Sequence, residues 1–166
     1  MQTKFPVFDK CTIQGSGQEN LLAMDLSEYM HKYADMVFPH RHNFYHLVVF
    51  TSGKGSFTID FTNFTIEPYT AYFMVPGQVH TWDFEGVTQG YIVNFSADFY
   101  HSFLLDPDYI QRFSFLSGHA PDQVLCIPER WREQTDRLMG ELINTYPAAE
   151  DSTGGDISRI ALLHFF

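Results

Sequence analysis

The sequence predicts a mainly β fold, an antiparallel barrel or sandwich, followed by C-terminal α-helices. Three observations predict it. Aromatic residues make up 17% of the 166 positions, with 17 Phe and 9 Tyr, and such side chains favour the pleated, half-buried surface of a sheet. From Leu21 to Phe95, short β-branched and aromatic runs are broken by turn formers at SGKGS, TNF, EPYT, VPGQ and FEGVTQG, as in a compact antiparallel domain. Beyond Phe95 the apolar residues adopt helical spacing. A chain of this length makes one core and buries roughly two thirds of its unfolded surface.

Taken in order, residues 1–24 read as an N-terminal arm, with turn formers in QGSGQEN, isolated anchors at Phe5, Phe8 and Ile13, and room for one short strand. Residues 25–127 read as the barrel. In SFTIDFT, Phe57, Ile59 and Phe61 alternate with Thr58, Asp60 and Thr62, the pattern of a strand with one buried and one wet face. YHLVVF and YIVNF are apolar at nearly every position, which predicts strands covered on both faces. SGKGS reads as a hairpin turn. SADFYHSFLL predicts a short helix near 97–105, capped by Ser96 and broken by DPDY.

Residues 128–166 read as a helical region. Between Pro128 and Tyr146, Trp131, Leu138, Leu142, Ile143 and Tyr146 recur with helical period, opposite Glu129, Arg130, Glu133, Asp136 and Arg137. PAAEDSTGG reads as a polar linker, and DISRIALLHFF as a second helix capped by Asp156. That helix ends on Leu162, Leu163, Phe165 and Phe166 without a glycine or a basic residue, so a fragment whose helix runs on into another domain is expected.

Composition excludes several function classes. With 10 Lys plus Arg against 20 Asp plus Glu, the net charge is -10, so direct binding of a nucleic-acid backbone would oppose the chain's own field. No run reaches the ~18 apolar residues of a membrane span, and the N-terminus lacks the apolar core of a secretory signal. Cys11 and Cys126 form no C-x-x-C pair and are too few for a disulfide framework. A cytoplasmic location is expected. Ser52, Ser56 and Ser96 lie in no G-x-S-x-G elbow, and no phosphate-binding G-x-x-x-x-G-K-[ST] loop occurs. Any enzymatic activity would therefore depend on a metal.

The chemistry is concentrated in PHRHNFYHLVVFTSGKGSF, which holds His40, His42 and His46 within seven residues. On a strand, residues two apart share a face, so all three imidazoles keep one parity. VPGQVHTW adds His80 after a Pro76-Gly77 turn and places Trp82 on the same face. Two readings stand. Neutral imidazoles ligate Zn²⁺, Ni²⁺ or Fe²⁺, and a barrel interior has room for several. Alternatively, the four rings line a pocket as hydrogen-bonding walls, each with one donor and one acceptor.

These residues resemble known motifs. HRHNFYHLVVFTSG is similar to the first cupin motif, with His46 standing where a glutamate is usual and Gly53 matching; PGQVH is similar to the second. FPHRHNFYHLVVFTSGKGSFTIDF, PGQVHTW and GYIVNFSADF together resemble the amino-terminal sensor domain of AraC/XylS-family bacterial transcription regulators, over nearly all of 38–166. The resemblance implies a cupin-type double-stranded β-helix, or jelly-roll barrel, that binds a small effector. It also implies helices that pair two subunits, and a C-terminal domain with two helix-turn-helix units, absent from this chain, through which DNA is contacted.

The resemblance and strand phase place His40, His42, His46, Tyr72, His80, Trp82 and Ile92 on the pocket wall. Trp82 sits where sugar-responsive relatives carry an aromatic ring, so a sugar is one candidate effector. Trp131, Leu138, Leu142 and Tyr146 are expected to form a homodimer seam. No cofactor is expected, since sensor domains of this kind commonly keep such histidines without metal. The alternative is a small metal-dependent cupin enzyme, a dioxygenase or isomerase, with His40, His42, His46 and His80 as ligands.

Overall fold

The computed structural model describes residues 5–8, 20–34, 38–101, 103–104, 106, 108–145 and 152–166. Two five-stranded sheets face each other in a cupin-type sandwich, and C-terminal helices cover the outer face of one of them. The strands are β1 (Val7–Phe8), β2 (Leu21–Asp25), β3 (His40–His42), β4 (Tyr45–Ser52), β5 (Gly55–Ile59), β6 (Thr62–Thr65), β7 (Thr70–Met74), β8 (Val79–Phe84), β9 (Gln89–Phe95) and β10 (Val124–Cys126). The helices are α1 (Leu26–Lys32), α2 (Asp98–His101), α3 (Glu129–Thr145) and α4 (Ser152–Phe165). One sheet runs β1-β3-β8-β5-β6 and the other β10-β7-β4-β9-β2.

The strand phases read from the sequence divide the core into two compartments. Leu47 and Val49 of β4, Ala71 and Phe73 of β7, and Val93 and Phe95 of β9 face outward onto Leu138, Met139, Leu142 and Leu162 of the helices. Their neighbours Val48, Phe50, Tyr72, Met74 and Ile92 face the other sheet and meet Phe57, Ile59 and Trp82. YHLVVF and YIVNF are apolar throughout because each wall of these strands belongs to a different compartment. Burying one Leu of α3 in this way contributes roughly 1.5–3 kcal/mol.

Several local expectations are corrected. SGKGS is not a hairpin turn: β4 and β5 belong to different sheets, and the segment carries the chain across the sandwich. Gly55, at φ 130°, is required there, because a Cβ would sit 2.1 Å from the Asp83 carbonyl oxygen. The strand read through Phe61 ends at Ile59; Asp60 and Phe61 form a two-residue turn with both φ positive (44° and 69°), leaving Phe61 77% exposed. The Asp60 carboxylate holds this turn by accepting from the Val79 N–H (2.9 Å) and Gln78 Nε2 (2.7 Å). TNF therefore lies in β6 rather than in a turn.

Ser96 does not act through its side chain as a helix cap; its hydroxyl donates to Asn20 Oδ1 at 2.9 Å and ties the end of β9 to the start of β2. Asp156 lies inside α4, which begins at Ser152, and pairs with Arg159 at 2.8 Å. α1 is unforeseen among the strands. Asp25 caps it by accepting the Ser27 N–H at 2.9 Å, and Glu28 favours its first turn.

Candidate functional site

The four histidines converge. The short strand β3 carries His40 and His42 in one sheet, and the chain then crosses at Asn43 and Phe44 so that β4 brings His46 in from the other. β8 runs antiparallel to β3 with His40 directly opposite His80. Ring centroids lie 4.5 Å apart for His40 and His80, 4.8 Å for His42 and His80, 5.2 Å for His42 and His46, and 5.1 Å for His46 and His80. One nitrogen from each of His40, His42 and His80 falls within 4.8 Å of the others. None of the four side chains is more than 3% exposed.

The surroundings are almost wholly aromatic. Phe44 stacks on His42 at 4.4 Å, Phe57 on His80 at 6.0 Å, and Trp82 lies 6.2 Å from both His46 and His80. Phe8 of β1, paired in parallel with β3, presents its edge to His40 at 5.3 Å, so the arm covers the cluster from outside. Tyr29 of α1 closes another side, 6.2 Å from His46 and 6.4 Å from Trp82.

Two of the histidines are oriented by hydrogen bonds. His40 Nδ1 donates to the Phe38 carbonyl oxygen at 2.7 Å, which leaves the Nε2 lone pair directed elsewhere. His46 Nδ1 lies 2.5 Å from Asn94 Oδ1 and donates to it, leaving its buried Nε2 without a partner. Neither nitrogen of His42 or His80 makes a well-aligned hydrogen bond, although the Phe8 and Gln78 backbones act on them, and the Trp82 Nε1 is likewise unpaired, whereas the Tyr29 hydroxyl and the Asn94 side chain interact with each other.

Burial acts on all four rings in one direction. Desolvation first, then repulsion from His46 and His40, drives His42 down to about 2, with the Phe8 backbone pulling the other way. Desolvation lowers His46 to about 4 against the opposing bond to Asn94. His80 lies well below the usual histidine range and His40 is also lowered, in each case chiefly by desolvation. All four rings are neutral at physiological pH, and neutral imidazole is the form that ligates metals.

Tyr72 and Ile92 lie inside the barrel but differently from the histidines. The Tyr72 hydroxyl donates to the Thr65 carbonyl oxygen at 2.7 Å, so its polar tip is already engaged. Ile92 is a fully buried wall residue opposite Met24 and Val48. Leu138 and Leu142 are buried against the chain's own sheet, where a pairing surface cannot reach them without opening that core. Trp131 is 47% exposed, and Tyr146 lies outside the described residues.

Sequence reasoning missed Asn94, Tyr29, Phe44 and Phe57 as parts of this site. Asn94 carries a legible signal, a lone amide in the apolar run YIVNF. A concavity of about 390 Å³ lies elsewhere, between β7, β10 and the ends of α3 and α4, lined mainly by apolar groups such as Phe73, Phe115, Trp131 and Phe166, whereas the histidine cluster itself is closed. The unpaired nitrogens mark the barrel interior, not this groove, as the chemical site.

Among the described residues no helix is long and apolar enough to cross a membrane. No curated protein matches the chain. A family model described as AraC-like ligand binding domain matches residues 22–164, which takes in both sheets from β2 onward, all four histidines and nearly all of the helical layer. Motif order, a two-sheet sandwich with helices on one face, and this match agree: the chain belongs to the AraC-like ligand binding domain family.

Proposed function

We propose that the chain is the effector-sensing and dimerisation domain of an AraC-type transcription regulator. A small molecule enters between the two sheets and contacts His40, His42, His46, His80 and Trp82, and its binding shifts how a DNA-binding domain outside residues 1–166 is presented. The observation that carries this reading is the set of buried polar atoms without a well-aligned partner on His42, His46, His80 and Trp82. Each such atom costs about 1–3 kcal/mol, and folded proteins keep few of them unless a ligand or water supplies the missing partner. A sugar suits the site, since its hydroxyls both donate and accept while the flat face of Trp82 stacks on its ring.

The cluster is closed in this conformation, so binding requires the cover over it, formed by β1 and α1, to move. Coupling to DNA is then limited by the difference in effector affinity between the closed and open arrangements. For pairing of two subunits, the exposed apolar residues Trp131, Ile157 and Ile160 of the helical layer offer a surface that the buried Leu138 and Leu142 do not. The exposed, unpaired Cys126 supports a reducing, cytoplasmic setting.

Trp131→Phe leaves Trp82 as the single tryptophan, since the chain has 2. A panel of small sugars and other polar metabolites is titrated against this variant by fluorescence and thermal shift. Saturable quenching that is lost in His80→Gln supports the reading; no response from any compound, in a folded protein, refutes it. The alternative of a metal-dependent enzyme, suggested by the three-histidine geometry, is separated by recovering the ligand after incubation. Chemically unchanged ligand supports the sensor.

A further inference from the structure

We propose that the groove between β7, β10, α3 and α4 is a second ligand site, which takes an uncharged aromatic molecule of one or two rings carrying a single hydroxyl group. It is separate from the histidine cluster and does not rest on the sensor reading.

The walls set the body of the ligand. The groove holds about 390 Å³, within the range of about 300–1,000 Å³ typical of small-molecule pockets. An apolar cavity of about 150 Å³ already admits benzene, so one or two rings fit here. Phe73, Phe115 and Phe166 form an aromatic corner, with ring centroids 4.3 Å apart for Phe73 and Phe115 and 5.5 Å apart for Phe115 and Phe166. Trp131 adds a fourth ring, half-exposed, and flat guests gain from stacked or edge-on contact with such rings.

The polar atoms set the rest. Thr135 of α3 is only 4% exposed, and its side chain lines the groove. A helical threonine commonly turns its hydroxyl back to the carbonyl four residues earlier, as Thr145 does to Glu141 at 2.8 Å. The Thr135 hydroxyl makes no such bond, nor any other among the described residues, so it faces the groove with a proton to give and lone pairs to receive. Folded proteins leave few buried polar groups in that state unless a ligand or water completes them. At the rim, Gln134 Nε2 donates to His164 Nε2 at 2.8 Å, so these two side chains already serve each other and Thr135 is the anchor.

Charge excludes the other ligand classes. No Asp, Glu, Lys or Arg lines the groove, so an ionic ligand would lose its hydration with nothing to pair it, and the net charge of -10 adds repulsion toward anions.

The probe is 2-naphthol, with two rings and one hydroxyl, titrated into the whole chain by calorimetry. Saturable binding of one equivalent is expected. Thr135→Val keeps the shape and removes the hydroxyl; it should weaken 2-naphthol by about 3–10-fold and leave naphthalene binding no weaker. Trp131→Ala should weaken both compounds by about 10-fold, and 2-naphthoate should bind at least about 10-fold more weakly than 2-naphthol. Val87→Ser, on an exposed connection between β8 and β9, should bind as wild type does. In Cys11→Ser, alkylation of Cys126, an exposed thiol on the groove, should slow by about 5-fold or more at saturating 2-naphthol.

No saturable binding, binding that neither groove variant weakens, or a Cys126 left unprotected overturns the proposal. So does a second copy of the chain as the occupant, seen as a mass that doubles with concentration in light scattering, returns to single in Trp131→Ala, and excludes 2-naphthol. Should Thr135→Val fail to fold, Thr135→Ala and the thiol protection carry the test. A chain that answers polar metabolites through Trp82 but ignores 2-naphthol overturns this proposal alone and leaves the sensor reading standing.

Discussion

Acid should destabilise the domain through its histidines, by an amount that follows from their burial. His42 and His46 are held neutral, at about 2 and about 4, against an ordinary value of 6.5 when unfolded. The unfolded chain therefore binds protons that the folded one refuses, and stability is complete above the unfolded value and falls as pH drops below it. At about pH 5 each of the two contributes a loss of about 2 kcal/mol relative to about pH 7.5. The two together lose roughly 4 kcal/mol, close to the lower end of a typical domain's whole stability, and His80, shifted in the same direction, adds to the loss.

Urea unfolding followed by circular dichroism in the presence of chelator, at about pH 7.5, 6 and 5, measures this directly. His42→Phe should lessen the drop by about 2 kcal/mol, because it removes one group that must charge on unfolding. A stability that changes by less than about 1 kcal/mol over this range would refute the claim that the rings are buried and neutral.

Three further outcomes follow from packing. Leu142→Ala, at a fully buried position between α3 and the sheet, should cost about 2–5 kcal/mol by urea unfolding, whereas Ile160→Glu on the exposed side should leave folding intact and, if the helical layer pairs subunits, halve the mass seen by light scattering. Gly55→Ala should destabilise by at least about 1–3 kcal/mol from backbone strain alone, with the contact against the Asp83 carbonyl added, and a melting temperature equal to wild type would contradict the crossing geometry. Asp136→Ala removes the acceptor shared by the Tyr69 and Tyr91 hydroxyls, at 2.8 and 3.1 Å, and should lower stability by about 1–2 kcal/mol as measured by urea unfolding.

Much of this architecture is written in local patterns. The strand phases of YHLVVF and YIVNF foretold two covered faces because every second side chain belongs to a separate compartment. The helical stripe on Leu138 and Leu142 marked α3 within a residue of its ends, although that stripe packs on the chain's own sheet. Parity predicted that His40, His42 and His46 share a side, and it survived a change of sheet at Phe44 because the two sheets face each other.

What was not legible depends on long-range pairing. Nothing near His80 specifies that it lies opposite His40, since that register is set by β8 meeting β3 across the fold. α1 was hidden because seven helical residues between strands make too short a period to detect, although the Asp25 and Glu28 pair was there to be read. Phe61 continued an alternation that Asp60, held by Gln78 and Val79 from another strand, physically interrupts.

β4 makes a rigid lever of a single stretch of backbone. His46, Val48 and Phe50 reach toward the imidazole cluster while Leu47 and Val49 press on α3 and α4, with no flexible joint between the alternate side chains. Anything that displaces this strand by a fraction of an ångström on one surface must be felt on the opposite one, because close-packed interiors do not absorb such shifts. A ligand that displaced β4 at the histidines would on this geometry also shift the seating of α3 and α4.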